Sequence, residues 1–232
     1  MEKSIIAIVP AAGLGKRFDS SRRKTFVNVN TIPLLAHTLL RLHREDLITE
    51  IIPVLRDEDI EYGKELASEY ELNKVRKIAS GGHERQDSIY NALKMIDNDQ
   101  LVLIHDGVRP VIPEGTIANL VRGLTGVDGV IPGRPSKETL KEVDNDSLVV
   151  STLNRQKIRA VQTPQLFRYA LIRKAYDLAY KKGLYATDDA ALVEAMGGKI
   201  RVIPGSPYNI KVTVPEDMDM VEFFLMKERQ ER

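Results

Sequence analysis

The run Leu101-Val-Leu-Ile104 is apolar at every position and only four residues long. So short a segment does not make a buried helix, and a strand without polar alternation has to be covered on both faces. Such strands belong to parallel sheets packed between helices, and the surrounding chain repeats the pattern. Residues 5–9, 51–55, 75–79 and 129–131 are further short apolar runs. Between them, residues 34–44, 57–70, 84–96 and 113–124 show three and four spacing, as in the set Leu35, Thr38, Leu39 and Leu42, the period of an amphipathic helix. This alternation predicts an α/β fold: a mostly parallel sheet with helices on both faces and Leu101–Ile104 near its middle.

With 232 residues, 43% of them hydrophobic, the chain can bury one full core and little more, so a single domain is expected. The rhythm breaks at residues 132–152. There Lys137-Glu-Thr-Leu-Lys-Glu-Val143 and Ser147-Leu-Val-Val-Ser-Thr152 flank the turn sequence Asp144-Asn-Asp146. Polar alternation on both sides of the turn predicts a β-hairpin that lies on the surface or reaches a partner. Beyond it, residues 168–182 and 187–196 read as helices and 200–203 and 209–213 as strands. Residues 215–231 read as a terminal helix with Pro215 at its first position.

A formal charge of +1 supplies no basic field for nucleic acid, and no apolar run nears the roughly 20 residues of a membrane-spanning helix. Cysteine is absent, which removes disulfides, thiolate metal sites and a cysteine nucleophile, and fits a reducing compartment. Lys3 and the stretch 5–9 have the outline of a signal peptide. Pro10 breaks that stretch and Lys16 and Arg17 follow it, which counts against the reading.

The first strand opens into Pro10-Ala-Ala-Gly-Leu-Gly-Lys-Arg-Phe18. The glycines lack the spacing of a Walker loop, and Phe18 stands where a dinucleotide fingerprint has its third glycine. Lys16, Arg17, Arg22, Arg23 and Lys24 nevertheless lie within nine residues, opposed only by Asp19. Glycine lets backbone amides approach a polyphosphate, and clustered cations neutralise charge that grows during displacement. A solvated basic loop has the same composition. Asp106 and Arg109 follow the central strand, where open α/β sheets bind ligands. Asp106 suits Mg2+ and the planar fork of Arg109 suits a phosphate, although a turn aspartate paired to a neighbouring arginine looks alike. His105 reads as structural. Gly81-Gly82 lets a flat base approach the backbone or forms a plain loop, with Arg85 and Ser88 on one face of the next helix. Capping alone accounts for Thr187-Asp-Asp189. In Asn209-Ile-Lys-Val-Thr213, alternation sets Asn209, Lys211 and Thr213 on a polar face that borders an anion cleft or open water.

In this order the motifs resemble those of one family over nearly the whole chain. They are Pro10-Ala-Ala-Gly-x-Gly-x-Arg17 with Lys24, Gly81-Gly82-x-x-Arg85-x-x-Ser88, His105-Asp106-x-x-Arg109-Pro110, Glu138-Thr139, Arg155 followed by Thr163-Pro164-Gln165, Thr187-Asp188 and Asn209-Ile-Lys211-Val-Thr213. The chain is similar to the 2-C-methyl-D-erythritol 4-phosphate cytidylyltransferases of the non-mevalonate route to isoprenoids. The resemblance implies a Rossmann-like, nucleotide-diphosphosugar transferase-like domain over residues 1–232, with a protruding β-hairpin arm at about 135–155 that joins two copies into a homodimer. It implies transfer of CMP from CTP to 2-C-methyl-D-erythritol 4-phosphate with release of pyrophosphate, and Mg2+ or another divalent cation at Asp106. The setting it implies is cytoplasmic, without nucleic acid or membrane. Catalytic roles then fall to Arg17, Lys24 and Lys211. CTP would be held by Ala11, Ala12, Gly13, Gly15, Arg17, Lys24, Gly82, His83, Ser88 and Asp106. The acceptor would be held by Arg109, Thr163, Thr187 and Lys211, with Thr139 and Arg155 supplied by the arm of the other copy. Two further readings stay open at this level. One is transfer to ribitol 5-phosphate, toward which Val108 between Asp106 and Arg109 leans slightly; the other is a non-catalytic nucleotide-binding protein on the same scaffold.

Overall fold

The computed structural model describes residues 4–13, 18, 23–97 and 100–230. Its first strand, β1 (Ile5–Pro10), shows why the apolar runs lack alternation. Successive side chains of a strand point to opposite faces, and here both faces are packed: Ile5, Ala7 and Val9 join one core and Ile6 and Ile8 the other. The chain continues through the short strands β2 (Asn28–Val29) and β3 (Ile32–Pro33), then α1 (Leu34–His43), β4 (Ile48–Leu55), α2 (Ile60–Glu69) and β5 (Ala79–Ser80). Next come α3 (Arg85–Leu93), β6 (Leu101–Ile104), α4 (Thr116–Gly123), β7 (Gly129–Pro135) and the hairpin strands β8 (Lys141–Val143) and β9 (Val149–Thr152). The last elements are β10 (Arg159–Val161), β11 (Gln165–Arg168), α5 (Tyr169–Lys182), α6 (Asp189–Ala195), β12 (Ile200–Pro204) and α7 (Asp217–Gln230).

One eight-stranded sheet has the order β10-β7-β11-β6-β1-β4-β5, with β12 also paired to β7. Strands β6, β1, β4 and β5 run parallel, and β12 runs parallel to β7. Antiparallel β11 is inserted between β6 and β7, so the expected mostly parallel sheet is present with a mixed centre. Leu101–Ile104 is buried between β1 and β11. Leu35, Leu39 and Leu42 of α1, Leu66 of α2 and Ile117 and Leu120 of α4 cover one face. Ile89 and Leu93 of α3, Ile172 and Tyr176 of α5 and Val193 of α6 cover the other.

Several expectations are corrected. The strand at 75–79 is reduced to β5 and a lone parallel bridge between Ile51 and Val75. Between them Lys77 directs its ammonium to Glu50 and the Met95 carbonyl, and the ladder is interrupted there. Residues 209–213 form no strand, because side chains claim their backbone. The Asn209 carbonyl accepts from Arg109 and Gln162, and the Val212 carbonyl accepts from Lys24. Asn209 is buried instead of sharing a polar face with Lys211. Helix α7 begins at Asp217, two residues after Pro215, and the Asp217 carboxylate accepts the N–H groups of Thr213 and Val214 at 2.6 and 3.0 Å.

The hairpin is present and stands clear of both cores. Val143, Leu148, Val149 and Val150 are 52–66% exposed. Among the described residues no helix is long and apolar enough to cross a membrane.

Candidate active site

Because β1, β5 and β6 are parallel and β11 is reversed, the carboxyl ends of the first three and the start of the fourth share one edge of the sheet. The loops leaving them meet there. Gly107 N–H donates to the Pro10 carbonyl at 3.1 Å and Gly81 N–H to the Leu55 carbonyl at 2.6 Å. Glycine is required at this meeting by the protein itself: a Cβ on Gly81 would lie 2.5 Å from that of Ala12, and one on Gly82 would lie 2.2 Å from that of Asp87.

Asp106 sits at the centre, buried. Its Oδ2 is 3.0 Å from Arg109 Nε and 3.1 Å from Lys211 Nζ, and its Oδ1 is 3.5 Å from Arg85 Nε. Burial pushes the carboxyl upward, but the charges of Arg85, Lys211 and Arg109 outweigh it and hold the group well below the usual carboxylate range. Arg109 also donates through Nη1 to the Asn209 carbonyl at 2.9 Å.

A neutral relay holds the backbone from Asp106 to Arg109. His105 is fully buried, and its Nε2 lies 2.9 Å from the Arg109 carbonyl. A carbonyl only accepts, so Nε2 carries the proton and Nδ1 accepts from the Thr163 hydroxyl at 3.0 Å. The same hydroxyl accepts the Asp106 N–H at 3.1 Å. Burial lowers the His105 pKa to about 4, which keeps the imidazole uncharged beside Arg109 and Lys211 at neutral pH.

Arg85 is held from behind. Its two Nη atoms donate to Asp189 at 3.1 and 2.9 Å, and Asp189, fully buried, also accepts the Tyr176 hydroxyl at 2.6 Å. Burial opposes the charge on Arg85, while Asp189 and Asp106 favour it more strongly, so its pKa lies above the ordinary guanidinium value.

The sequence-derived residues fall in five sets. Asp106, Arg109, Thr163 and Lys211 converge directly, and Lys24 Nζ donates to the carbonyl of Val212, the residue after Lys211, at 2.7 Å. On the glycine side, Ala11 is buried, Ala12 half-buried and Gly13 exposed, and the His83 side chain is 93% exposed beside Glu84. The buried Ser88 hydroxyl donates to the Glu84 carbonyl at 3.1 Å and accepts the Gly82 N–H at 3.0 Å, so it clamps the glycine corner. Thr187 is exposed at the mouth of α6; the cap there is Asp188, which accepts the Ala191 N–H at 3.0 Å. Thr139 and Arg155 lie exposed at the arm, where Arg155 donates to the Lys137 carbonyl at 3.0 Å. Among the described contacts none joins them to Asp106 of the same chain. Gly15 and Arg17, like Lys16 and Arg22, lie outside the described residues.

Sequence reasoning missed Asp189 and Asn209. Capping explained Asp189 away, yet it is followed by Ala-Ala-Leu-Val. A carboxylate entering an apolar helix face without a local cation needs a distant one, and Arg85 supplies it.

Among the described residues no three His, Cys, Asp or Glu side chains gather as a protein-built metal cage. Within the same set, Asp106 Oδ1 meets only Arg85 Nε. That donor set fits a hard cation that keeps waters and takes further ligands from phosphates.

Against this geometry the comparisons agree. Residues 5–227 match the family described as IspD, 2-C-methyl-D-erythritol 4-phosphate cytidylyltransferase. The protein of that name from Syntrophus aciditrophicus (strain SB) is 42% identical over 230 residues, covering 98% of each chain. The crystal structure of 4-diphosphocytidyl-2C-methyl-D-erythritol synthase from Anaerococcus prevotii DSM 20548 superposes with a TM-score of 0.85 at 33% identity, covering 97% of both chains. A 2-C-methyl-D-erythritol 4-phosphate cytidylyltransferase structure from Thermus thermophilus gives 0.76 at 29% identity, covering 97% of this chain and 100% of that one. A match along almost the entire length, with the loops of the parallel strands gathered on one buried carboxylate, means that this chain belongs to the 2-C-methyl-D-erythritol 4-phosphate cytidylyltransferase family.

Proposed function

We propose that this chain transfers CMP from CTP to 2-C-methyl-D-erythritol 4-phosphate, in the cytoplasm, as a step in isoprenoid precursor synthesis. The observation that carries the reading is the buried carboxylate of Asp106, ringed by Arg85, Arg109 and Lys211 at the carboxyl ends of parallel strands, in a chain of this family. A phosphate oxygen of the acceptor attacks the α-phosphorus of CTP. The new P–O bond forms as the α–β bridge breaks, and pyrophosphate leaves with the electron pair. Such chemistry depends on positioning and charge, and no covalent protein intermediate is required.

Arg17 and Lys24, with Gly13 and Gly15, hold the triphosphate and balance the charge that grows on the leaving group. Ala11, Ala12, Gly82 and His83 line the base, and Ser88 acts by fixing the glycine corner, since its hydroxyl is already bonded on both sides. Asp106 would hold Mg2+ or another divalent cation, which supplies charge neutralisation among the phosphates. Lys211, now at Asp106, exchanges that carboxylate for a phosphate oxygen. Arg109, anchored through Nε and Nη1, offers Nη2 to the acceptor side, where Thr163 and Thr187 also stand. The arm completes a homodimer and contributes Thr139 and Arg155 to the acceptor side of the other copy, a reading that its exposure supports.

Purified protein is incubated with CTP, Mg2+ and either 2-C-methyl-D-erythritol 4-phosphate or ribitol 5-phosphate, and pyrophosphate and product mass are measured. Pyrophosphate is expected with the first acceptor alone. Release with neither defeats the catalytic reading, and release with ribitol 5-phosphate alone defeats the choice of acceptor.

A further inference from the structure

Three consecutive side chains in the first turn of α3 all grip one distant segment, residues 180–189. Arg85 bonds Asp189 through both Nη atoms. Gln86, buried, donates Nε2–H to the Leu184 carbonyl at 3.0 Å and accepts the Ala186 N–H on Oε1 at 3.0 Å. Asp87 accepts the hydroxyls of Tyr180 and, at 3.1 Å, Tyr185, and its other oxygen accepts the Glu84 N–H at 2.8 Å. Neighbouring helix positions diverge by about 100°, so one segment can meet all three only by wrapping around the helix end. The ends of this arrangement matter. The turn that precedes it is the glycine corner, Gly81 to Glu84, and the segment it grips carries Thr187.

We infer that the first turn of α3 is a brace locking the Thr187 loop to the glycine corner, and that Gln86 is a positioning residue for acceptor binding. The inference rests on the proposed reading in one respect, the placing of Thr187 on the acceptor side. A primary amide that both donates to and accepts from the backbone of one loop mimics a strand partner, and it fixes the loop's position along the helix as well as its distance. Tyr180 and Tyr185 add a second attachment through Asp87. The Tyr180 ring stacks on Tyr90 at 4.5 Å between centroids, which ties that attachment to the body of α3.

Gln86→Met keeps side-chain length and volume and removes both bonds to the loop. Each such bond is worth roughly a three- to tenfold change in an equilibrium. The expected result is an acceptor KM raised about tenfold and a CTP KM changed by less than about twofold. The Leu184 amide, which is bonded to the Ala179 carbonyl and not to Gln86, should exchange hydrogen about tenfold faster, while the β1 amides keep their rates. Thr187→Ala is measured alongside. Faster Leu184 exchange with acceptor KM unmoved in both variants removes Thr187 from the acceptor side and leaves the brace standing. The brace is overturned by unchanged Leu184 exchange, by a CTP KM that rises as much as the acceptor's, or by an acceptor KM that moves in Thr187→Ala and not in Gln86→Met. Should Gln86→Met fail to fold, Tyr185→Phe removes one exposed bond to Asp87 and is expected to shift the same two readouts by about threefold. No shift in either readout then overturns the brace.

Discussion

Replacing Asp189 with alanine tests the electrostatic core of the site. The substitution deletes a fully buried acceptor of three hydrogen bonds, two from Arg85 and one from Tyr176. Removing one partner from a buried ion pair costs about 3–5 kcal/mol. The Arg85 side chain is about one-third exposed, so water and Asp106 recover part of its loss and the low end applies to the pair. The Tyr176 hydroxyl has no such recourse, being fully buried, and leaving it unpaired adds about 1–3 kcal/mol. The expected destabilisation is therefore about 4 kcal/mol, or a Tm lower by roughly 10 °C for a chain of this size. Urea denaturation followed by circular dichroism measures it, with an unchanged slope required for the comparison. Tyr176→Phe alone should cost only about 1 kcal/mol, because Asp189 keeps Arg85. In the double variant that hydroxyl is no longer stranded, so the two costs should fall short of additivity by at least about 1 kcal/mol. A loss below about 1 kcal/mol in Asp189→Ala, or full additivity in the double variant, would refute the reasoning.

Other outcomes follow from the same geometry. Lys24→Ala, which removes a half-buried loop cation and no core side chain, should lower kcat by about a hundredfold or more with Tm within a few degrees; near-normal turnover removes Lys24 from the catalytic set. Lys211→Ala frees Asp106 Oδ2 of one cation and should raise the affinity for Mg2+ measured by calorimetry without nucleotide, while turnover falls; weaker Mg2+ binding contradicts the competition between Lys211 and the metal for one carboxylate. Leu148→Asp with Val150→Asp, both on the exposed arm, should convert a dimer measured by light scattering into a monomer of unchanged Tm; a monomeric parent protein removes the arm's assigned role.

The sheet was legible because burial on both faces leaves an unmistakable trace, as at Leu101–Ile104 and residues 5–9. Helix α4 and the arm were legible for the same reason, a period matched to one environment. Strand β11 left no such trace, since Gln165-Leu-Phe-Arg168 is short and opens with a polar residue whose amide serves Asp188 and the Ala190 N–H. Residues 209–213 show the opposite failure. Their alternation was real, but the groups that claim Asn209 and Val212 are Arg109, Gln162 and Lys24, 47 to 188 positions away, and no local pattern encodes a partner at that range. The candidate site divides likewise. Asp106, Arg109 and Lys211 could be picked out by residue type and place, whereas Arg85 appeared only as a motif letter and Asp189 only as a cap, because what gives them their charge environment is each other.

The interrupted strand β10–β11 has a mechanical consequence. The chain leaves the sheet along β7, makes the arm, and returns along β10, which pairs with Gly133 to Pro135 of β7 before β11 pairs with Gly129 and Val130. The three residues between them include Gln162, whose amide is bonded to Ser206 and Asn209, and Thr163, whose hydroxyl holds the Asp106 N–H. The arm is thus a cantilever rooted in the same few residues that seat the central carboxylate. A load applied at its tip by another molecule passes from the separate β8–β9 ladder through residues 136–140 and 153–158 into the β7–β10 pairing, which ends at Val161, two residues before Thr163.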